Sequence, residues 1–196
     1  MELNFPNIIN KDGKAHYFGT VFNAEQNVFY FNELFHKIEW ANEKVMMFGN
    51  EITTKRKVAF YANEGIEYRY SQKTKKGIPW TPLLMDLKEL VTKHTKCEYN
   101  ACLLNLYHDG DEAMGWHSDN EKEIIPNSSI ASISLGAARK FAFKHKTTKE
   151  THSIILENGS LLEMSGTIQQ NWLHALPKSK KVNGPRINLT FRQMAI

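Results

Sequence analysis

Apolar residues at helical spacing mark two stretches in the N-terminal half of the chain. Residues 28–40 carry such a face, made by Phe31, Leu34, Phe35 and Ile38. The second face begins after Thr81-Pro82, where a proline suits the first turn of a helix, and runs to about His94; its members are Leu83, Leu84, Leu87, Leu90 and Val91. The spacing predicts two amphipathic helices. Residues 1–27 are polar and irregular, and the pattern predicts no regular element there.

Most of the remaining chain is predicted to form short strands. Apolar runs and period-two alternation predict them at 44–48, 56–61, 66–70, 101–107, 129–135, 139–145, 151–157, 160–164 and 186–193. Residues 71–77 indicate a basic loop, and Asn158-Gly159 favours a tight hairpin between two strands. Many short strands with helices confined to the N-terminal half are typical of an α+β, mainly β fold, a jelly roll packed against helices.

Two of the predicted strands carry polar side chains on one face. In the strand at 186–193, period-two alternation opposes an apolar face to a polar one, made by Arg186, Asn188, Thr190 and Arg192. In the strand at 101–107, Asn105 and Tyr107 share a face. Such faces are typical of half-exposed strands with a solvated surface. They are equally typical of a pocket for an acid, since arginines bind carboxylates through paired hydrogen bonds.

The segment that follows residue 107 ends in His117-Ser118-Asp119. An imidazole and a carboxylate two residues apart point to the same side of an extended chain. With His174 as a third ligand, the set is two histidines and one carboxylate, the facial triad of non-haem iron(II) oxygenases. The spacing alone also suits a surface loop that carries a histidine and an aspartate by chance.

Length, charge and cysteine content narrow the class of protein. The 196 residues predict one domain, or one domain with an N-terminal extension. The net charge is +4, with basic clusters at 55–76, 139–149 and 178–181; these suit a phosphate backbone or solvated loops. The two cysteines, Cys97 and Cys102, indicate neither a zinc finger nor a disulfide framework. No apolar run is long enough to span a membrane.

Five motifs occur together along the chain: Asn105-Leu106-Tyr107-x-Asp109-Gly110, Gly115-Trp116-His117-Ser118-Asp119-Asn120-Glu121, Ile130-Ala131-Ser132-Ile133-Ser134-Leu135-Gly136, Trp172-Leu173-His174-Ala175-Leu176-Pro177 and Arg186-Ile187-Asn188-Leu189-Thr190-Phe191-Arg192. In these motifs the chain resembles the AlkB family of Fe(II)- and 2-oxoglutarate-dependent dioxygenases. It is most similar to the DNA-repair branch of that family, from about residue 44 to the C-terminus. It departs at Asn120, where relatives often carry aspartate.

The resemblance implies a double-stranded β-helix with Fe(II) inside its mouth. The iron ligands, which also form the catalytic centre, would be His117, Asp119 and His174. O2 and 2-oxoglutarate would be the cosubstrates. The residues that match the family's 2-oxoglutarate contacts are Asn105, Tyr107, Arg186, Asn188, Thr190 and Arg192. The first three would take the distal carboxylate, while Asn188 and Arg192 would lie at the metal end.

The resemblance also implies how the domain is divided and what it acts on. Residues 1–43 would form an N-terminal extension with a helix, 44–77 a substrate-recognition lid and 78–196 the helix and jelly-roll core. The reaction would demethylate N-alkylated bases in DNA, such as 1-methyladenine and 3-methylcytosine, releasing formaldehyde, succinate and CO2. Extrusion of such bases is favoured because they pair poorly. RNA is left open as a substrate.

Matching positions imply five substrate contacts: Phe48, Arg56, Tyr68, Tyr70 and Glu121. Tyr70 would stack on the flipped base against His117, Tyr68 would line the wall, and Glu121 would meet the exocyclic amino group. Arg56 matches a basic residue of the lid. Phe48 either fills the gap left by the flipped base or packs against its neighbours.

Other interpretations stay open at this point. Phe60 and Tyr61 are expected to pack in the interior rather than to meet substrate. The same metal chemistry could act on RNA, protein or a small molecule, and a non-enzymatic β-barrel could bind nucleic acid with a chance His-x-Asp. We expect a monomer that binds alkylated DNA and no membrane, in the cytoplasm of a bacterium or inside a eukaryotic cell, the nucleus included.

Overall fold

Helices and strands account for most of the chain. A computed structural model describes residues 7–47, 50–70 and 73–195, without the side chains of residues 43–51 and 68–75. Its helices are α1 (Ala24–Lys37), α2 (Pro82–Thr95) and α3 (Ile168–Asn171). Its strands are β1 (Asn7–Ile9), β2 (Lys14–Thr20), β3 (Ala41–Met47), β4 (Asn50–Ala62), β5 (Glu67–Tyr70), β6 (Lys73–Lys76), β7 (Ala101–Tyr107), β8 (Met114–His117), β9 (Ile130–Gly136), β10 (Arg139–His145), β11 (Thr151–Leu156), β12 (Ser160–Ser165), β13 (Trp172–Leu176) and β14 (Arg186–Arg192).

Two antiparallel sheets form the body of the fold. The main sheet has eight strands in the order β1-β2-β12-β9-β14-β7-β4-β3, and the minor sheet has four in the order β11-β10-β13-β8. Strands β5 and β6 pair separately. Side chains of both sheets meet in one buried cluster, with Leu162 of β12 against Phe143 of β10. The predicted α+β, mainly β jelly roll is confirmed.

The apolar core lies on the outer side of the main sheet, under the helices. Ile187, Leu189 and Phe191 of β14 are fully buried there and join one cluster with Leu34 of α1 and Leu87 of α2. Burial of one such side chain stabilises the fold by about 1.5–3 kcal/mol. Because side chains alternate along a strand, the polar residues of β14 are directed to the inner side, between the sheets. No helix within the described ranges is long and apolar enough to cross a membrane.

Helix starts coincide with capping residues. Asn23 Oδ1 accepts a hydrogen bond from the Gln26 N–H at 2.8 Å, and Gln26 Oε1 accepts one from the Asn23 N–H at 3.0 Å. This capping box starts α1 at Ala24, earlier than the predicted residue 28, because capping residues are polar and carry no apolar periodicity. Helix α2 starts at Pro82 as predicted, and Thr81 caps it.

The N-terminal segment is part of the main sheet. The prediction of an irregular segment is wrong for residues 14–20, which form β2 and pair with β12. Only Ala15 of this strand is buried, so its sequence shows no clean alternation. The segment assigned to a lid also enters the sheet, since β4 pairs with β7 from Lys57 to Ala62.

The predicted hairpin at Asn158-Gly159 is wrong. Strand β11 pairs with β10 in the minor sheet, whereas β12 pairs with β2 and β9 in the main sheet. The turn therefore crosses between the layers, and Gly159 takes a φ of 77° within it. Its N–H donates to the Ser134 carbonyl oxygen at 2.7 Å, while Asn158 Oδ1 accepts from the Gly136 N–H at 2.8 Å. Local turn chemistry is satisfied, but tertiary pairing decides the strand partners.

Candidate metal and cosubstrate site

The polar faces of β7 and β14 lie side by side between the sheets. In the antiparallel register Arg186 is opposite Tyr107, and Asn188 is opposite Asn105. Exposed fractions are small, at 2% for Arg186 and 6% for Asn105. The alternative of a solvated basic surface is therefore wrong. These polar side chains line a pocket between the sheets. Because they are buried, each requires a hydrogen-bond partner.

Asn188 connects the polar side chains of β14 to one another. Its Oδ1 accepts hydrogen bonds from Arg186 Nη2 at 2.6 Å and from Ser132 Oγ at 3.1 Å. Its Nδ2 donates to Thr190 Oγ1 at 2.8 Å. Arg186 Nη2 also donates to Ser134 Oγ at 2.8 Å. The network holds the Arg186 guanidinium in one orientation, and a hydrogen-bonded network of this kind is rigid.

Arg186 is a buried cation without an anionic partner among the described residues. Its Nε lies below the surface and makes no hydrogen bond. Burial lowers the pKa of Arg186 to about 10, with a further contribution from the charge of Arg139 and opposed by Tyr107. Such a guanidinium suits a bound carboxylate, which would accept paired hydrogen bonds and neutralise the charge.

Three metal-ligating side chains converge at the other end of the pocket. His117 on β8 and His174 on β13 are paired across neighbouring strands, with ring centroids 4.2 Å apart. Asp119 follows just after β8. Its Oδ1 lies 3.8 Å from His117 Nε2 and 3.9 Å from His174 Nε2. One ligand atom from each residue falls within 4.8 Å of the others, so a single ion could contact all three.

Hydrogen bonds orient two of the three ligands. His117 Nδ1 lies 2.8 Å from the Gly115 carbonyl oxygen, so Nδ1 donates and the Nε2 lone pair is left for a metal. Arg192 donates to Asp119 Oδ2 from Nε at 3.2 Å and from Nη2 at 2.7 Å, which leaves Oδ1 facing the histidines. Arg192 was predicted at the metal end of 2-oxoglutarate, and its bond in the structure is to the Asp119 carboxylate.

The charges of the site match a cation. Burial alone would raise the pKa of Asp119, but the charge of Arg192 and the two imidazoles outweigh it and lower the pKa to about 2. Burial lowers the pKa of His174 to about 3, assisted by His117. A carboxylate and a neutral imidazole are the forms that bind metal. Two histidines and one carboxylate form the donor set of non-haem Fe(II) oxygenases, so the residues fit that ion.

One cavity of about 80 Å³ joins the two ends of the site. It is lined by all of the predicted metal and cosubstrate residues, namely His117, Asp119, His174, Asn105, Tyr107, Arg186, Asn188, Thr190 and Arg192. Glu121, a predicted substrate contact, lines it as well. The cavity can therefore hold a metal ion next to a small anion, beside the group predicted to meet the base.

The lid residues are only partly described. Arg56 is 6% exposed, and its Nη1 lies 3.5 Å from Met114 Sδ. Its guanidinium lies 5.7 Å from the centre of the Tyr107 ring. Tyr68 and Tyr70 belong to β5, but their side chains, like all of Phe48, lie outside the described residues. Their predicted roles are untested.

Phe60 and Tyr61 pack as expected, with exposed fractions of 3% and 1%.

Sequence reasoning missed two residues that shape the site. Arg139 was assigned to a basic cluster, yet it is 1% exposed and donates to the carbonyl oxygens of Asp109, Glu112 and Pro177. The sequence did contain a signal for its burial. Arg139 and Phe141 are two residues apart in a strand and therefore share one face, which is the inner face here. Gln169 accepts a hydrogen bond from the Asp119 N–H at 2.9 Å. No motif or periodicity marks it.

Similarity to known proteins agrees with this geometry. The model of the 2OG-Fe(II) oxygenase superfamily matches residues 14–192. The chain belongs to the 2OG-Fe(II) oxygenase superfamily. It is therefore a dioxygenase of a family that uses Fe(II) and 2-oxoglutarate, which agrees with the His117, Asp119 and His174 cluster.

Relatives within the superfamily confirm the AlkB resemblance. DNA oxidative demethylase ALKBH2 of Mus musculus is 38% identical over 175 residues, covering 84% of this chain and 73% of that protein. Alpha-ketoglutarate-dependent dioxygenase alkB homolog 3 of Mus musculus is 36% identical over 147 residues, covering 70% of this chain and 51% of that protein. The solved structure of OsALKBH1 matches with a TM-score of 0.67 at 14% identity, over 91% of this chain and 97% of that one. That match supports the fold alone.

Proposed function

We propose that this oxygenase demethylates N-alkylated bases in DNA, such as 1-methyladenine and 3-methylcytosine. The observation that carries the proposal is a single cavity with an iron-type donor set at one end and an unneutralised buried arginine at the other. The similarity to proteins named DNA oxidative demethylase supports the choice of substrate class. The methyl carbon would be oxidised to a hydroxymethyl group and leave as formaldehyde, with succinate and CO2 as coproducts.

His117, Asp119 and His174 are proposed to hold Fe(II). When bound together with 2-oxoglutarate and O2, the iron would supply the oxidising chemistry. Arg192 keeps Asp119 ionised and turned so that Oδ1 remains available. Gly115 fixes the tautomer of His117 in which Nε2 is the free nitrogen. The side chains therefore need little rearrangement before the ion binds.

Arg186 is proposed to bind the distal carboxylate of 2-oxoglutarate, with Asn105 and Tyr107 beside it. Its unpaired Nε and lowered pKa support this role. A bound carboxylate could accept a hydrogen bond from Nε, and its negative charge would neutralise the guanidinium. The Asn188 network fixes the guanidinium before the cosubstrate arrives, which reduces the entropy lost on binding. Thr190 and Asn188 complete this wall of the cavity.

Substrate recognition is proposed to fall to Glu121 and to the segment at 44–77. Glu121 lines the cavity that holds the metal ligands, so a base beside the metal would lie within its reach. Its carboxylate suits the exocyclic amino group and the positive charge of 1-methyladenine or 3-methylcytosine. Aromatic side chains at Tyr68 and Tyr70 would stack on the base, and Arg56 and Phe48 would contact the nucleic acid around it.

The enzyme is proposed to act as a monomer, because one chain supplies the described residues that line the cavity. A DNA substrate would place it in the cytoplasm of a bacterium or in a eukaryotic compartment that contains DNA.

The decisive test is mass spectrometry of oligonucleotides incubated with the protein, Fe(II) and 2-oxoglutarate. Matched DNA and RNA strands would carry 1-methyladenine, 3-methylcytosine or an etheno adduct. Loss of the methyl group from DNA, with equimolar formaldehyde and succinate, is the expected result. Succinate formation without any change in the strands would indicate the alternative, an oxygenase that acts on protein or a small molecule. Preferential repair of the RNA strands would move the substrate class to RNA.

A further inference from the structure

The metal ligand Asp119 is not held by a sheet. Strand β8 ends at His117 and lies at the edge of the minor sheet, so residues 118–120 continue as a loop. The two hydrogen bonds from Arg192 end on Oδ2 of Asp119 and so orient its carboxylate. A loop of this kind has more conformational freedom than the strands that carry the two histidines. A contact to the main chain of Asp119 would restrict that freedom.

Gln169 provides that contact. Its Oε1 accepts a hydrogen bond from the Asp119 N–H at 2.9 Å, and its Nε2 lies 3.8 Å from Met164 Sδ. Gln169 belongs to α3, which leads directly into β13 and His174. One side chain thus joins the backbone of the Asp119 loop to α3, the short helix that leads into the strand of another metal ligand, His174.

Lys146 makes a second connection between the same two elements. Its Nζ donates to Ser118 Oγ at 3.2 Å and to the Gln169 carbonyl oxygen at 2.9 Å. The residue preceding Asp119 is thereby tied to the backbone of α3. The two connections restrain the loop at adjacent residues.

The turn between β1 and β2 also contacts α3. A Cβ atom on Gly13 would come within 2.4 Å of the Ile168 Cα, so only glycine permits this approach. Asn171 Nδ2 donates to the Asp12 carbonyl oxygen at 3.2 Å, and Trp172 Nε1 donates to the Lys11 carbonyl oxygen at 3.1 Å. Helix α3 has only four residues, and these contacts give it a fixed place against the sheets.

We propose that Gln169 is a positioning residue for the metal site. By holding the Asp119 N–H, it keeps Oδ1 directed at the two histidine Nε2 atoms and so raises the affinity for a divalent metal ion. The inference rests on the proposed metal site at His117, Asp119 and His174. It assigns Gln169 no contact with the metal, the cosubstrate or the base.

The test compares Co(II) affinity in four forms of the full chain, measured by visible absorption of the metal-free protein during titration. Gln169→Leu keeps the size of the side chain and removes the acceptor. Gln169→Glu keeps an oxygen acceptor and serves as the rescue. Gln170→Leu is the matched control, because Gln170 is the adjacent residue of the same helix, is exposed and bonds Asn127 Oδ1 instead. The thermal midpoint of each metal-free protein is recorded as well.

The expected result is a loss of Co(II) affinity of about 10- to 100-fold in Gln169→Leu, with Gln170→Leu close to wild type. Gln169→Glu should bind Co(II) at least as tightly as wild type, because it keeps the acceptor and adds a negative charge near the cation. Wild-type affinity in Gln169→Leu would overturn the inference and leave the metal site intact. Weaker binding that accompanies a lower thermal midpoint and is not rescued by Gln169→Glu would also overturn it, in favour of a general packing role.

Two further outcomes keep the test decisive. If Gln169→Leu does not fold, Gln169→Asn takes its place, since its amide is one methylene too short to reach the Asp119 N–H; wild-type affinity in that variant would overturn the inference. If the wild-type protein itself binds no Co(II), or binds it equally well after His117→Ala, the proposed metal site fails, independently of Gln169.

Discussion

The two ends of the polar face of β14 carry arginines in opposite surroundings. Arg192 is 4% exposed and donates two hydrogen bonds to Asp119 Oδ2. Arg186 is 2% exposed, has an unpaired Nε, and hydrogen-bonds the neutral side chains of Ser134, Asn188 and Tyr107 within the described residues. The same residue type, on the same face of the same strand, is thus neutralised at one end and not at the other.

The difference indicates which end is completed by the protein and which by a ligand. A buried charge without a counter-ion costs several kcal/mol, about 3–5 kcal/mol when a partner is removed from a buried pair. At the Arg192 end the protein provides the partner and thereby shapes a metal ligand. At the Arg186 end the cost of the buried charge remains until an anion binds. Binding of 2-oxoglutarate would remove that cost, and this relief would contribute to its affinity.

The largest effect is expected from Asp119→Ala, which makes the Arg192 end resemble the Arg186 end. It removes a metal ligand and breaks the buried ion pair in which Arg192 donates two hydrogen bonds to Asp119. Succinate formation should fall below detection, and the free energy of unfolding of the metal-free protein should fall by about 3–5 kcal/mol. A succinate assay and urea denaturation measure the two effects. Asp111→Ala, at an exposed position of the preceding loop, is the control. Wild-type turnover in Asp119→Ala would contradict the assignment of Asp119 as a metal ligand.

Arg186→Met should give the opposite pattern. Loss of the charge-assisted hydrogen bonds should raise the 2-oxoglutarate concentration for half-maximal succinate formation by about 100-fold or more. The metal-free protein should be at least as stable as wild type, because an uncompensated buried charge is replaced by an apolar chain. Steady-state kinetics and urea denaturation provide both values. A loss of stability as large as that of Asp119→Ala would mean that the two ends do not differ as described.

The pH dependence of stability should reflect the buried, neutral His174. Its pKa is lowered from 6.5 to about 3 in the folded state, so its contribution is fully present above pH 6.5 and is lost as the pH falls. Between these two pKa values the unfolded chain binds a proton at His174 that the folded chain excludes. The free energy of unfolding therefore changes by about 1.4 kcal/mol per pH unit. His174→Leu should reduce the slope between pH 6 and 4 by about one proton. Equal slopes from urea melts of the two metal-free proteins would argue against a neutral buried imidazole.

Asp119 should affect stability only in more acidic solution. Its pKa is lowered to about 2, from 3.8, so its contribution is present above pH 3.8 and disappears as the pH falls towards 2.

The smallest effect is expected at Thr190, between the two ends. Thr190→Val removes the oxygen that accepts a hydrogen bond from Asn188 Nδ2 at 2.8 Å while keeping the shape of the side chain. Loss of one such bond should reduce the free energy of unfolding by about 1 kcal/mol. The 2-oxoglutarate requirement should rise only a few-fold, because Arg186 keeps its bond to Ser134. A change as large as that of Arg186→Met would place Thr190 in direct contact with the cosubstrate.

The site was more predictable from the sequence than the topology that surrounds it. Period-two alternation places Arg186, Asn188, Thr190 and Arg192 on one face of their strand. The register that sets this face beside Asn105 and Tyr107 of β7 is seen only in the structure. The motifs are local in the sequence, so they can be recognised even when the strand partners are predicted wrongly. Which of the two arginines meets Asp119 depends on where the loop after β8 falls, and no local pattern carries that information.

The prediction of the topology was wrong where local sequence signals competed with contacts between distant parts of the chain. Asn158-Gly159 is a favourable hairpin turn, yet its two strands enter different sheets. Strand β2 has a single buried residue, and β8 and β13 are too short to show alternation. Gln169 is found only once α3 is packed beside the Asp119 loop. The roles of Phe48, Tyr68 and Tyr70 in substrate binding remain predictions.

An anaerobic titration of the Fe(II)-loaded protein with 2-oxoglutarate tests the division between the two ends most directly. Chelation of Fe(II) by a 2-oxo acid gives a visible charge-transfer band. Wild-type protein should develop the band at low 2-oxoglutarate, Arg186→Met should require about 100-fold more to reach the same intensity, and Asp119→Ala should show none. A band that forms at the wild-type 2-oxoglutarate concentration in Arg186→Met would contradict the account.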